Sequence, residues 1–184
     1  MQIIKEKTDI DFEGTIIDLE TIGDFRREFK REVGDSREYQ EIKPVFFGLI
    51  AGKRIEIHCA ENEKELSELH EGISKLLKNL EKPYYSFNTP FEMGVLFHTL
   101  KEKVLFEREL NKEKFESKLS VVEKLRIQNY NDPFYDKGKL FPSSWKNGEM
   151  EKCIAHNRAD LLKERDILIK RGFRDPDPFE FIEL

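Results

Sequence analysis

The stretch from Val45 to Phe87 limits the fold more than any other part of the chain. Val45-Phe46-Phe47-Gly48-Leu49-Ile50 is a short apolar run of strand type, and Arg54-Ile55-Glu56-Ile57-His58-Cys59 alternates polar with apolar residues. Only a turn containing Gly52 separates the two, so they form a hairpin-like pair. Leu66, Leu69, Ile73, Leu76, Leu77 and Leu80 then recur at helical spacing, with Asn62 as cap, Glu63 and Glu65 at the positive end, and Pro83 as the stop. Tyr84-Tyr85-Ser86-Phe87 reads as a short buried strand beyond that helix. A β-α-β connection of this length favours parallel pairing. Upstream, Thr15-Ile16-Ile17 opens a further buried strand, which gives three antiparallel strands in order. The expected class is an α/β layered domain.

The rest of the chain fits around this frame. Residues 22–43 are polar and charged, and read as an excursion between strands. Thr89-Pro90 opens the next helix, with Thr89 as cap and Pro90 at its first position. Residues 104–131 read as further helix and turns, with Leu119, Val121, Val122 and Leu125 as core. Residues 132–148, rich in Pro, Gly, Lys and aromatics, read as a long loop. A last helix runs from about Glu149 to Lys170 and is capped by Gly172, followed by an extended tail. With 184 residues and no internal repeat, residues 1–184 are expected to form a single domain.

A net charge of −5 argues against a protein that coats nucleic acid non-specifically, but leaves room for a site that binds phosphates through metal ions. Cys59 and Cys153 are far apart and suggest neither a disulfide framework nor a zinc knuckle, so a reducing, cytoplasmic setting is expected. No apolar run approaches a membrane span.

Asp18 and Glu20 end the first buried run. Residues i and i+2 of a strand share a face, so both carboxylates can point to one spot. Two like charges side by side repel and lose hydration, costs that a hard divalent cation offsets. Glu92 falls in the first turn of the helix opened at Thr89, close to a strand end. Asp160 lies on the last helix, four residues after His156 and on the same face. Each residue also has a plainer reading. Asp18 and Glu20 are compatible with a solvated pair matched by lysine, Glu92 with an acid favoured by the helix dipole, and Asp160 with a solvated face shared with Arg158, Lys163 and Glu164. His156 taken alone is an ordinary helix histidine.

At these positions the chain resembles the DEDD superfamily of ribonuclease H-like 3′-to-5′ exonucleases. Asp18-Leu19-Glu20-Thr21 is similar to its first motif, Asn88-Thr89-Pro90-Phe91-Glu92 to its second, and His156-Asn157-Arg158-Ala159-Asp160 to its third. The likeness spans roughly residues 12 to 170 and is nearest to YprB-like ribonuclease H-like domains. Two positions depart from the pattern: Glu92 stands where the family has Asp, and His156 stands at the spacing that the family fills with Tyr.

The resemblance implies a ribonuclease H-like fold and a mixed sheet, three antiparallel strands then parallel ones, flanked by helices. It implies two divalent cations, Mg²⁺ or Mn²⁺, held by Asp18, Glu20, Glu92 and Asp160. Asp18 would bridge both ions, Glu20 and Asp160 would hold the ion that activates water, and Glu92 the second, with His156 orienting or deprotonating that water. Leu19, Thr21, Asn88 and Phe91 would face the 3′ end of a single-stranded DNA or RNA. Lys137, Lys139 and Lys146 are further candidate contacts, with Phe134, Tyr135, Phe141 and Trp145 as stacking surfaces. The competing expectations are a degenerate binding or scaffold module of the same fold, and a structure-selective endonuclease using the same site.

Overall fold

A computed structural model describes residues 1–31, 33–114 and 116–183. Glu32, Phe115 and Leu184, which fall in the expected excursion, the helix-and-turn stretch and the tail, lie outside the described residues.

The elements in chain order are β1 (Gln2–Lys7), β2 (Thr15–Ile22), β3 (Gly34–Asp35), β4 (Lys43–Ala51), β5 (Arg54–Cys59), α1 (Leu66–Leu77), β6 (Tyr84–Ser86), α2 (Thr89–Leu100), β7 (Arg108–Glu109), α3 (Lys118–Leu125), α4 (Phe141–Lys146), α5 (Met150–Arg171) and β8 (Phe179–Glu180). Six strands form one mixed sheet in the order β1-β5-β4-β2-β6-β7, and β3 pairs with β8 in a two-stranded ribbon. β1, β5, β4 and β2 pair with one another antiparallel in that order. β6 joins β2 in parallel and β7 joins β6 in parallel. The chain is thus α/β, with a mixed sheet flanked by helices.

Alternation along β2 sorts the two faces. Ile16 packs into a core with Phe46, Ile57, Val121, Phe141, Trp145 and Leu161, the side of α3, α4 and α5. Ile17 and Leu19 pack with Phe47, Leu49, Leu69, Ile73, Met93 and Val95, the side of α1 and α2. Period-2 alternation therefore puts Asp18 and Glu20 on the α5 side.

Several sequence expectations need correction. β1 and β7 were not foreseen. β1 is an edge strand with one exposed face, and β7 spans two residues, so neither carries a strong apolar pattern. Helix α2 starts at Thr89 with Asn88 in the cap position, because the Thr89 hydroxyl donates to Glu109 Oε2 at 2.8 Å and does not cap. Leu119 is exposed, whereas Val121 and Val122 are buried as expected. Residues 132–148 are not one long loop: a 3-10 turn over Gly138–Leu140 leads into α4, with Pro142 in its first turn. Among the described residues, no helix is long and apolar enough to cross a membrane.

Candidate metal centre

The site lies at the C-terminal ends of β2 and β6, beside the point where the sheet changes from antiparallel to parallel pairing. Such crevices outside strand ends are where α/β sheets bind ligands. Asp18 and Glu20 come from β2, Glu92 from the first turn of α2, and His156 and Asp160 from α5. All five are buried, and all line one cavity of roughly 180 Å³ together with Leu19, Phe87, Asn88, Phe91, Lys118, Gly138 and Glu164. A larger depression of about 590 Å³ follows the sheet edge at Lys5–Lys7, Lys53 and Arg54, but no buried polar group points into it.

Helix α5 reaches β2 because β4 leaves space for it. Gly48 is the register partner of Asp18, and a Cβ there would stand 2.2 Å from Asn157 Oδ1 and 2.9 Å from Leu161 Cδ1. The close approach lets Asn157 Nδ2 donate to Asp18 Oδ2 at 2.7 Å. A glycine inside an otherwise apolar strand is a sequence signal for such an approach.

His156 is held from behind. Its Nδ1 lies 2.8 Å from Asp132 Oδ1, and its Nε2 faces Glu20 Oε1 at 3.4 Å. Asp132 also accepts from Lys163 Nζ at 2.6 Å and from the backbone N–H groups of Phe134 and Asp136. Burial opposes charge on His156, but Glu20, Asp132 and Asp160 outweigh it and push its pKa up to about 9. Burial also raises Asp132, yet hydrogen bonds from His156 and Lys163 bring it well below the usual carboxylate range.

Lys118, the first residue of α3, is the main feature that sequence reasoning missed. Its Nζ lies 3.1 Å from Asp18 Oδ1, 2.9 Å from Asp160 Oδ2 and 2.7 Å from Glu164 Oε1. Burial works against its charge, but Asp160, Asp18 and Glu164 hold its pKa well above the ordinary lysine value. Burial pushes Asp18 up, against Lys118, and pushes Glu20 well up, against His156. It carries Glu92 to about 8, with Asp18 adding to the rise. Asp160 moves the other way, because Lys118, His156 and Lys163 overcome its burial. Glu164, fully buried, is raised by burial despite Lys118. A sequence signal for Glu164 existed: it lies one helical turn after Asp160, on the same face.

The donor set fits a hard cation. Glu20, His156 and Asp160 each present a ligand atom within 4.8 Å of the others. Asp160 Oδ1 and Glu92 Oε2 are buried and accept no hydrogen bond among the described residues. A second acidic group, Asp132, Asp136 and Asp160, already surrounds Lys163, which lies 2.6 Å and 2.7 Å from the first two.

Of the expected substrate-facing residues, Leu19, Asn88 and Phe91 line the cavity and Thr21 does not. The β2–β4 register is irregular between Glu20 and Thr21. Phe134, Phe141 and Trp145 are core, not stacking surfaces. The two phenylalanines pack on His156 with centroids 4.9 Å and 6.2 Å away, and Trp145 Nε1 donates to the Ala60 carbonyl at 2.7 Å. Tyr135, Lys137, Lys139 and Lys146 are exposed.

No protein-family model, no curated protein and no solved structure matches this chain.

Proposed function

We propose that this protein is a divalent-metal-dependent nuclease of the ribonuclease H-like kind, which removes nucleotides from the 3′ end of a single-stranded nucleic acid. One observation carries the reading: Asp18, Glu20, Glu92 and Asp160, from three separate elements, converge with His156 on one cavity. Four buried carboxylates are not needed to stabilise a fold, and burying them together is unfavourable without cations between them. The buried acceptors Asp160 Oδ1 and Glu92 Oε2 suit Mg²⁺ or Mn²⁺.

A bound divalent ion supplies a water of lowered pKa and positive charge for the phosphoryl oxygens. Glu20, Asp160 and His156 would hold it. The Asp132 hydrogen bond sets the imidazole plane and leaves Nε2 facing the cavity, where it would bind that ion. Asn157 holds Asp18 in place. A second depression of about 310 Å³ adjoins the site through Phe87 and Asn88. Its wall carries Phe25, Tyr39, Lys30 and Arg31 alongside the acids Glu38, Glu109, Glu116 and Asp177. The 3′-to-5′ direction and the single-stranded substrate are carried over from the resemblance.

The test is incubation of 5′-labelled oligonucleotides with Mg²⁺ or Mn²⁺. The expected product is a ladder of shortened strands. Asp18→Asn should lose activity by more than the ~10–100-fold typical of residues that only support a metal ligand. Full activity in that variant, or cutting of circular single strands, which would mark an endonuclease, rejects the proposal.

A degenerate binding module is the second reading, and Lys118 is the observation in its favour. A site that already holds an internal cation between Asp18, Asp160 and Glu164 has part of its charge neutralised without metal. Stabilisation by Mn²⁺ separates the two readings, because only an intact metal site is stabilised.

A further inference from the structure

Lys118 is built into the site. An ammonium group has three N–H donors and no acceptor, and Asp18, Asp160 and Glu164 each place an oxygen within 3.1 Å of Nζ. The ammonium donates to Asp18 Oδ1 and Asp160 Oδ2 and forms an ion pair with Glu164. Asp18 and Asp160 belong to the four acids that the resemblance assigns to metal, but Glu164 does not. Glu164 is fully buried, and among the described residues its ion pair with Lys118 is the only one it makes. A buried carboxylate with a single cationic partner is strongly unfavourable once that partner leaves. The Phe87 ring, with its centroid 5.9 Å from Nζ, stands on a further side of the ammonium.

The opposite side of Asp160 differs. Its Oδ2 accepts from Lys118, whereas its Oδ1 accepts no hydrogen bond and has Lys163 Nζ no closer than 3.6 Å. Glu20, His156 and Asp160 each present a ligand atom within 4.8 Å of the others. The site thus already contains one cation and offers three donor atoms to another.

We propose that Lys118 takes the place of one of the two metal ions, so that the site binds a single divalent ion through Glu20, Asp160 and His156. The ammonium locks Asp18, Asp160 and Glu164 in position and neutralises part of their charge. Held by three carboxylates of the site, Lys118 is a positioning residue whose effect is electrostatic and geometric. The inference rests on the metal reading of the site.

Counting ions tests it without reference to activity. The metal-free full chain is titrated with Mn²⁺ by calorimetry, and the number bound is checked by electron paramagnetic resonance of free Mn²⁺. One ion is expected for the unsubstituted protein and for Lys118→Arg, and two for Lys118→Ala. Lys118→Gln, whose amide can still donate to Glu164, is measured in parallel and replaces the alanine variant if that variant does not fold by circular dichroism. Two ions in the unsubstituted protein, or one in a folded neutral variant, overturn the assignment and leave the metal reading standing. No ion in the unsubstituted protein with binding in a neutral variant also overturns it, since the lysine would then exclude metal altogether. No ion in any of these proteins overturns the metal reading, and the assignment with it.

Discussion

Asp132 shows how much of the site depends on a residue outside it. Nothing in the sequence near Asp132 marks it as part of the centre, because its partners His156 and Lys163 lie 24 and 31 positions away. Asp132→Asn removes a carboxylate shared by an imidazole and a fully buried ammonium. Breaking a buried pair of this kind costs roughly 3–5 kcal/mol, and urea unfolding should show a loss of that order. The His156 pKa, about 9 in the metal-free protein, should fall in the same variant when followed by NMR titration. Gly48 is the other residue whose role depends on a distant partner. Gly48→Ala drives a Cβ against Asn157 and Leu161. An overpacking penalty of about 1–3 kcal/mol, with weaker Mn²⁺ binding, is expected in denaturation and calorimetry.

Among the elements, α3 shows how a short helix can set a centre's charge. Its first residue is Lys118, and the Ser117 hydroxyl caps it by accepting from the Ser120 N–H at 3.1 Å. Ser117→Ala should cost about 1 kcal/mol in thermal or urea unfolding. Loosening the first turn also loosens the ammonium, so the variant should bind Mn²⁺ with altered affinity. Helix α5 was far more legible. The spacing of His156 and Asp160 puts both on one face, and the helix runs Met150–Arg171, close to the expected Glu149 to Lys170. Helix α4 was hidden, because Pro, Gly and Lys dominate its neighbourhood, and its aromatics suggested ligand contact. Burial instead turns Phe141 and Trp145 inward, against the sheet.

On the scale of the whole molecule, the buried titratable groups would link the proposed metal binding to pH. His156 has its pKa raised from 6.5 to about 9. Its contribution to folding is therefore fully present below 6.5 and is lost as pH rises through about 9. Burial raises Glu20 likewise, so its contribution is present at low pH and lost as pH rises. An ion held by both groups needs both deprotonated, which favours it in the window where the metal-free protein weakens. Thermal unfolding with and without Mg²⁺ should show a stabilisation that grows between pH 6.5 and 9. A shift that is flat or shrinks across that range contradicts a site made from these two residues.

What the sequence determined by itself is what short-range periodicity encodes. Alternation put Asp18 and Glu20 on one face of a strand, helical spacing put His156 next to Asp160, and Thr89-Pro90 brought Glu92 to the start of a helix. The tertiary structure alone decided how the acids are neutralised. Lys118 reaches Asp18 from 100 positions away and Asn157 from 139, and the Asn157 contact depends on how closely α5 approaches the sheet over Gly48. A side chain's partner across such distances leaves no local pattern, because packing fixes it after the periodic elements have formed.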